Sequence, residues 1–308
     1  MTFTRVAARL FVGFAAAAIV FAAPSEAATT LTVGYGTAGD FLPLLVAKDK
    51  GFLAQHGLDA KLIPIPNGSM SPSAVESGSV QIAYTTPSIL VLAVAGGLDQ
   101  VAVAGAARLL ASNPRTALVT RPGVTVTKPQ DLIGKRVGVP GLNQALDLNI
   151  KKWMLDHGIG LDRYTLVEAP LPQLPDMLKA GQIDAAPLVE PVLGRALAQG
   201  DGTKSVDITS INNPDELGSL WEAGGAWANA NKPAVAAFRA ALDQAIASIV
   251  AHPDDAKTIE KKYLKFAEPT LPNFATKIAP ADFQYWIDIL TRLKLLPQPV
   301  DAAKIVFD

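Results

Sequence analysis

The chain has 308 residues, 49% of them hydrophobic, with 27 basic against 28 acidic side chains and a net charge of −1. That balance excludes the electrostatic footprint of a nucleic-acid binder and strong attraction to an anionic membrane surface. The absence of cysteine excludes a disulfide framework, a thiolate metal site, a cysteine nucleophile and a lipid-modified cysteine; the length and apolar content suffice for a core that rests on burial alone, in one large domain or two lobes.

Met1 to Ala27 contain Arg5 and Arg9, an apolar run from Leu10 to Ala23, and then Pro24-Ser25-Glu26-Ala27. This is the pattern of a cleaved secretory signal. The run, about 14 residues long, is too short to span a bilayer, and the small residues Ser25 and Ala27 stand where a signal peptidase needs them. A mature chain beginning near Ala28, exported and without a membrane anchor, is expected.

Short runs rich in Val, Ile and Leu alternate with helical patterns, which predicts an α/β fold built on parallel strands. Strands are expected at Leu31 to Gly34, Lys61 to Ile65, Gln81 to Tyr84, Val101 to Ala104, Ala117 to Thr120, Arg136 to Val139, Thr165 to Val167 and Ala185 to Val189. Leu146, Ile150 and Trp153 recur at helical spacing behind Asn143, a favourable N-cap residue, and the pattern stops at Gly158. Beyond residue 230 the chain reads as mostly helical, with Val235, Phe238, Leu242, Ile246 and Ile249 as one apolar stripe and Pro253 opening a further helix.

Two distant stretches can be laid over each other. Ser77-Gly78-Ser79-Val80-Gln81-Ile82-Ala83 precedes Thr86-Pro87, and Ala180-Gly181-Gln182-Ile183-Asp184-Ala185-Ala186 precedes Glu190-Pro191. Each reads as helix, glycine cap, strand and a helix opened by proline at its first position. The same βαβ arrangement built once in each lobe would point both strand ends at the space between the lobes, where ligands bind in open α/β sheets. Coincidence between two short alanine-rich segments is the competing explanation.

Gly34-Tyr35-Gly36-Thr37-Ala38-Gly39 has the spacing of a dinucleotide-binding loop. The acidic residue such a site wants at the end of the next strand is missing, because Asp59 precedes that strand. The glycines are read instead as letting the backbone approach a small ligand, with amides near Thr37, Ala38 and Gly39 as donors. Thr86 and Ser88 open the next helix, and Asn143 and Gln144 do the same in the second half; each is a candidate ligand contact, against plain helix capping. Glu190 is not a favoured cap, so its carboxylate is a candidate acceptor for a ligand amine, hydroxyl or amide, or a partner for a cleft arginine. Arg108, in the loop expected after the strand ending near Ala104, is the candidate arginine, against the ordinary fate of a solvated surface residue. His56, His157 and His252 each lie beside a helix boundary, without metal-ligand or triad spacing. No catalytic residue, cofactor or metal is expected.

Pro43-Leu44-Leu45-Val46-Ala47-Lys48-Asp49-Lys50-Gly51-Phe52-Leu53, continuing through His56-Gly57-Leu58-Asp59-Ala60, resembles the opening of the nitrate, sulfonate, taurine and thiamine-precursor family of ABC importer binding proteins. Lys128 to Val139, Met177 to Ala185 with Glu190-Pro191, and Phe238 to Tyr263 are similar to later parts of that family in the same order. The resemblance implies a two-lobed periplasmic-binding-protein fold of type II, with two mixed, mainly parallel sheets flanked by helices around a central ligand cleft. It places residues 28–117 and 218–308 in lobe one and 118–217 in lobe two. It implies a monomeric periplasmic protein, not an enzyme, that captures a small organic molecule and delivers it to the permease subunits of an importer. The alternative is an enzyme acting on a small pathway intermediate on the same scaffold, opposed by the missing cysteines, the unplaced histidines and the export signal.

The family's ligand contacts fall here on Thr37 to Gly39, Thr86 to Ser88 and Gly141 to Gln144, joined by Glu190 and by the return segment from Gly218 to Trp221. The chain departs from a nitrate binder, since no lysine or histidine stands at these positions and Glu190 would repel a small anion. A sulfonate, an aromatic or pyrimidine-like molecule, or an amine-bearing one is expected, the simple sulfonate least.

Overall fold

The Val- and Ile-rich runs form strands whose partners are set by where the intervening helices return the chain. The computed structural model describes residues 28–207, 212–268 and 270–308, so the expected signal segment lies outside the described residues. In chain order the strands are β1 (Thr29–Tyr35), β2 (Leu58–Pro64), β3 (Ile82–Thr85), β4 (Gln100–Leu110), β5 (Thr116–Thr120), β6 (Arg136–Val139), β7 (Thr165–Glu168), β8 (Ala185–Val189), β9 (Thr203–Lys204), β10 (Asp215–Gly224) and β11 (Asn273–Phe274). The helices are α1 (Leu42–Asp49), α2 (Phe52–Gln55), α3 (Ser71–Glu76), α4 (Pro87–Ala95), α5 (Ala145–Asp156), α6 (Leu174–Lys179), α7 (Val192–Gln199), α8 (Gly225–Ala230), α9 (Lys232–Ala251), α10 (Pro253–Leu264), α11 (Pro280–Arg292) and α12 (Ala302–Ile305).

Lobe one carries a six-stranded sheet in the order β11-β4-β10-β3-β1-β2, and lobe two a five-stranded sheet in the order β7-β6-β8-β5-β9. In lobe one β1 runs parallel to β2 and β3, and β10 is antiparallel to β3. In lobe two β6 runs parallel to β7 and β8, and β5 is antiparallel to β8. The strands therefore correspond as β2-β1-β3-β10 and β7-β6-β8-β5. This is the duplication that the two similar stretches predict. In both copies the glycine after the helix adopts a left-handed conformation, with φ of 72° at Gly78 and 68° at Gly181, which a side chain there would strain.

Helix α9 alone is long and apolar enough, among the described residues, to match a membrane span by composition. Its stripe is instead buried: Val235, Phe238, Leu242 and Ile249 pack with α1, α10 and one face of the first sheet around Trp221. The other face of that sheet is covered by α4 and α11, and Leu148 of lobe two joins this cluster. Lobe two divides its own core between the two faces of the second sheet.

Several local expectations differ, the first being that β2 begins at Leu58, so Asp59 lies within the strand opposite Thr30 and not before it. Strand β4 continues to Leu110, so Arg108 lies on a strand opposite Leu217 and not in a loop. Pro191 stands at the cap of α7, after a cis peptide bond, and the helix begins at Val192. Asn143 lies ahead of the cap of α5, which is Gln144, and has φ of 60°.

Candidate functional site

A cleft of about 740 Å³ opens between the lobes, at the carboxyl ends of the parallel strands of both sheets. From lobe one it is lined by Gly36 to Ala38 after β1, Pro66 to Gly68 after β2 and Tyr84 on β3, with Phe41 and Phe266. From lobe two it is lined by Pro140 and Gln144 after β6, Glu168 to Pro172 at the end of β7, Val189 to Val192 at the end of β8, and Arg195 on α7.

The lobe-one wall is aromatic because its backbone is bare where the rings sit. A Cβ at Gly36 would come within 2.6 Å of the Phe41 ring and 2.9 Å of the Tyr84 ring, and one at Gly68 within 3.2 Å of Tyr84. Phe41 and Tyr84 lie 4.6 Å apart between ring centres, and Phe41 meets Trp221 edge-on at 5.4 Å. The Tyr84 hydroxyl donates to the Ile65 carbonyl at 3.2 Å, and burial pushes its pKa up to about 12. It enters the cleft as a neutral phenol.

The lobe-two wall carries the charged groups of the cleft, set among prolines, Leu171, Val189 and Val192. Glu190 is half-buried and its Oε2 accepts the Gly194 amide at 3.0 Å, in the first turn of α7, where an acceptor is favoured. Arg195, exposed, reaches the Pro172 carbonyl at 3.4 Å along the same wall, and Glu168 is also exposed. Gln144 folds back over Gly141, where a Cβ would meet its side-chain nitrogen at 2.4 Å.

Of the residues singled out in the sequence, Thr37, Ala38, Gln144 and Glu190 come together on the cleft wall. Gly39, Thr86, Ser88, Arg108, Asn143 and Trp221 do not line it. The Gly39 amide is already donated to Glu268 Oε1 at 3.0 Å, so it is not free for a ligand. Ser88 is fully buried, with its hydroxyl 3.3 Å from that of Thr86, and Thr86 makes no side-chain cap bond to α4. Asn143 Oδ1 accepts from Lys151 at 2.9 Å, and its amide donates to Asp147. Trp221, 1% exposed, sits behind Phe41 in the core. Arg108 pairs with Asp215 and, at 2.8 Å, with Asp282, so its guanidinium is spent within lobe one and it is not the partner of Glu190.

A model for the family described as NMT1/THI5 like matches residues 38–256. The chain belongs to the NMT1/THI5-like family. Among its relatives, the taurine-binding periplasmic protein of Escherichia coli (strain K12) is 29% identical over 174 residues, which span 55% of this chain and 51% of that protein. The solved aliphatic sulphonate binding protein SsuA of Escherichia coli superposes with a TM-score of 0.78 at 18% identity, over 90% of this chain and 97% of that one. The alkanesulfonate-binding protein SsuA of Xanthomonas axonopodis pv. citri, bound to MOPS, gives 0.76 at 17% identity, over 92% and 99%. At these identities the two structures establish the periplasmic-binding-protein fold.

Within this NMT1/THI5-like fold, sequence reasoning missed Phe41, Asn67, Tyr84, Glu168, Arg195 and Phe266. Tyr84 closes an expected strand, Glu168 follows one directly and Asn67 stands two residues beyond another, so the rule that ligands bind at carboxyl ends would have found all three. Arg195 stands one turn beyond Glu190 in an expected helix. Nothing local marks Phe266.

Proposed function

We propose that this NMT1/THI5-like chain is the periplasmic substrate-binding component of an ABC importer, acting as a monomer and not as an enzyme. The mature chain begins near Ala28; residues 28–117 and 218–308 act as lobe one and 118–217 as lobe two, with the ends of β5 (Thr116, Ala117) and of β10 (Asp215 to Leu217) each pairing in the sheet of the other lobe. The observation that carries the reading is the cleft itself, with an aromatic wall from one lobe facing a charged wall from the other, each built at the carboxyl ends of equivalent strands. A ligand touching both walls favours the closed form in proportion to its extra affinity for that form, and closure is the signal for the permease.

The ligand is an aromatic or amine-bearing organic molecule. Its ring lies against Phe41 and Tyr84, and its donors meet Glu190 and Glu168. Two carboxylates against the single guanidinium of Arg195, among the described lining residues, disfavour a small anion such as nitrate. The relatives named for taurine and sulphonates show what this scaffold holds elsewhere, and Arg195 is the group that would meet an acidic tail of a zwitterion.

The reading is tested by a thermal-shift screen of the mature protein against nitrate, taurine, longer sulfonates, aromatic carboxylates, pyrimidines and aromatic amines. A ligand at 100 times its dissociation constant adds about 2.7 kcal/mol of stability. Stabilisation confined to amine-bearing or aromatic compounds is expected. Stabilisation by nitrate alone would overturn the ligand class, and turnover of any stabilising compound would overturn the binding-protein reading.

A further inference from the structure

The chain leaves the first sheet at Leu110, the end of β4, and enters the second at Thr116, the start of β5. Arg115 is the last residue of that crossing and is only 2% exposed. Its guanidinium belongs to lobe one: it pairs with Glu268, donates to the Thr270 carbonyl at 2.7 Å and lies 4.0 Å from Asp40. Its backbone belongs to lobe two, because the Arg115 carbonyl accepts the amide of Glu190 at 3.0 Å. One residue is thus fastened to both lobes through different groups.

The partners of Arg115 reach the other cleft wall. Glu268 accepts the Gly39 amide, and Asp40 accepts the Ser219 hydroxyl on β10 at 2.9 Å, where the chain has returned from lobe two. Glu260 accepts the Glu268 backbone amide at 3.0 Å, which holds the Glu260 carboxylate against the main chain of Glu268. A Cβ at position 39 would lie 2.6 Å from Glu268 and 3.0 Å from Glu260, so glycine there is what lets the ligand-facing loop rest on the pair. A continuous chain of hydrogen bonds therefore runs from the β1–α1 loop through Glu268 and Arg115 to Glu190.

We propose that Arg115 and Glu268 are positioning residues that set the pivot between the two cleft walls, although neither touches the cleft. The fork geometry of arginine is what allows one side chain to hold Glu268 and the Thr270 carbonyl together while the main chain holds Glu190. The inference rests on the two-lobed binding reading for its functional meaning, but its test needs no ligand.

The chain has no cysteine, so cysteines introduced at the exposed Ser73 of lobe one and Gln173 of lobe two can carry nitroxide labels. Pulsed dipolar spectroscopy on the ligand-free mature chain then reads the inter-lobe distance. The unsubstituted pivot is expected to give a narrow distribution, R115M a broader one with a tail displaced from the parent maximum, and R115K, which keeps the charge but not the fork, an intermediate one. R121M removes the Arg121–Asp184 bridge inside lobe two and should keep the parent width. If R115M does not fold, E268Q, which keeps the volume and loses the charge, carries the same expectation of broadening. A parent-like distribution in the folded pivot variant, or equal broadening in R121M, overturns the proposal. Failure of the ligand screen alone would leave these distances unchanged, so the two readings fail separately.

Discussion

The two lobes share a strand order but present different chemistry to the space between them, aromatic rings from one and charged groups from the other. At the end of β3 the chain turns into α4 through Thr86 and Pro87, with Pro87 inside the first turn, and neither residue reaches the cleft. At the end of β8, the equivalent strand, it turns through Glu190 and Pro191, and both line the cleft. The difference lies in what fills the space in front of each turn. In lobe one Phe41 and Tyr84 occupy it and are anchored from behind by Trp221. In lobe two no aromatic ring is among the described lining residues, and the polar turn itself becomes part of the wall. Duplicated topology fixes where the cleft is; the side chains packed in front of each copy decide which lobe supplies aromatic rings and which supplies charge.

The largest test of that division is Phe41→Ala. Phe41 is a 3% exposed ring between Tyr84 and Trp221, and its loss should lower stability by about 3–5 kcal/mol, as for other buried aromatic truncations, in urea denaturation. A loss within 1 kcal/mol, by the same measurement, would mean the aromatic wall is not continuous with the core.

The seam between the lobes gives the next effect. Glu216 on β10 is fully buried and accepts from Asn149 of α5 at 3.2 Å, while Asn149 Oδ1 accepts the Tyr285 hydroxyl at 2.8 Å. Burial, opposed by the Asn149 bond, pushes the Glu216 carboxyl from 4.5 to about 8. The folded chain therefore keeps a proton that the unfolded chain releases between those values, so stability falls as pH rises through the window, by on the order of a few kcal/mol. Glu216→Gln should flatten that slope in melting curves recorded from pH 5 to 8. Asp184 in lobe two slopes the other way: burial works to raise it, but Arg136 and Arg121 hold it below the usual carboxylate range, so its contribution is lost only as strong acid protonates it. An unchanged slope in Glu216→Gln would place the titrating group elsewhere.

The elements that read clearly in the sequence are those whose burial follows a simple period. β1 to β8 were legible because Val and Ile runs stood between helix caps. β10 was not: Asp215-Glu216-Leu217-Gly218-Ser219-Leu220-Trp221-Glu222-Ala223-Gly224 carries two fully buried carboxylates, and that of Glu222 has no hydrogen-bond partner among the described residues, so neither alternation nor an apolar run survives. β4 was cut short because its second half is rich in alanine, which gives no strand signal. In the cleft, the residues at strand ends could be found by rule, and those that contact it from another segment could not. Arg115 and Glu268 are 153 residues apart, and only the fold makes them neighbours.

Two smaller substitutions separate the walls. Glu190→Gln keeps an acceptor for the Gly194 amide, so stability should change by no more than about 0.5 kcal/mol. Affinity for the ligand found in the screen should fall about tenfold or more, the weight of one charged hydrogen bond, by calorimetry. If Glu190→Gln instead destabilises the fold as strongly as Phe41→Ala, the carboxylate is structural and the contrast between the lobes is lost. Tyr84→Phe is the finer probe, since it leaves the ring in place and removes only the hydroxyl. That hydroxyl is committed to the Ile65 carbonyl, so the variant should lose about 0.5–1.5 kcal/mol of stability and keep its ligand affinity. A tenfold loss of affinity with unchanged stability would show the phenol turning from Ile65 to the ligand, and lobe one would then supply polarity as well as surface.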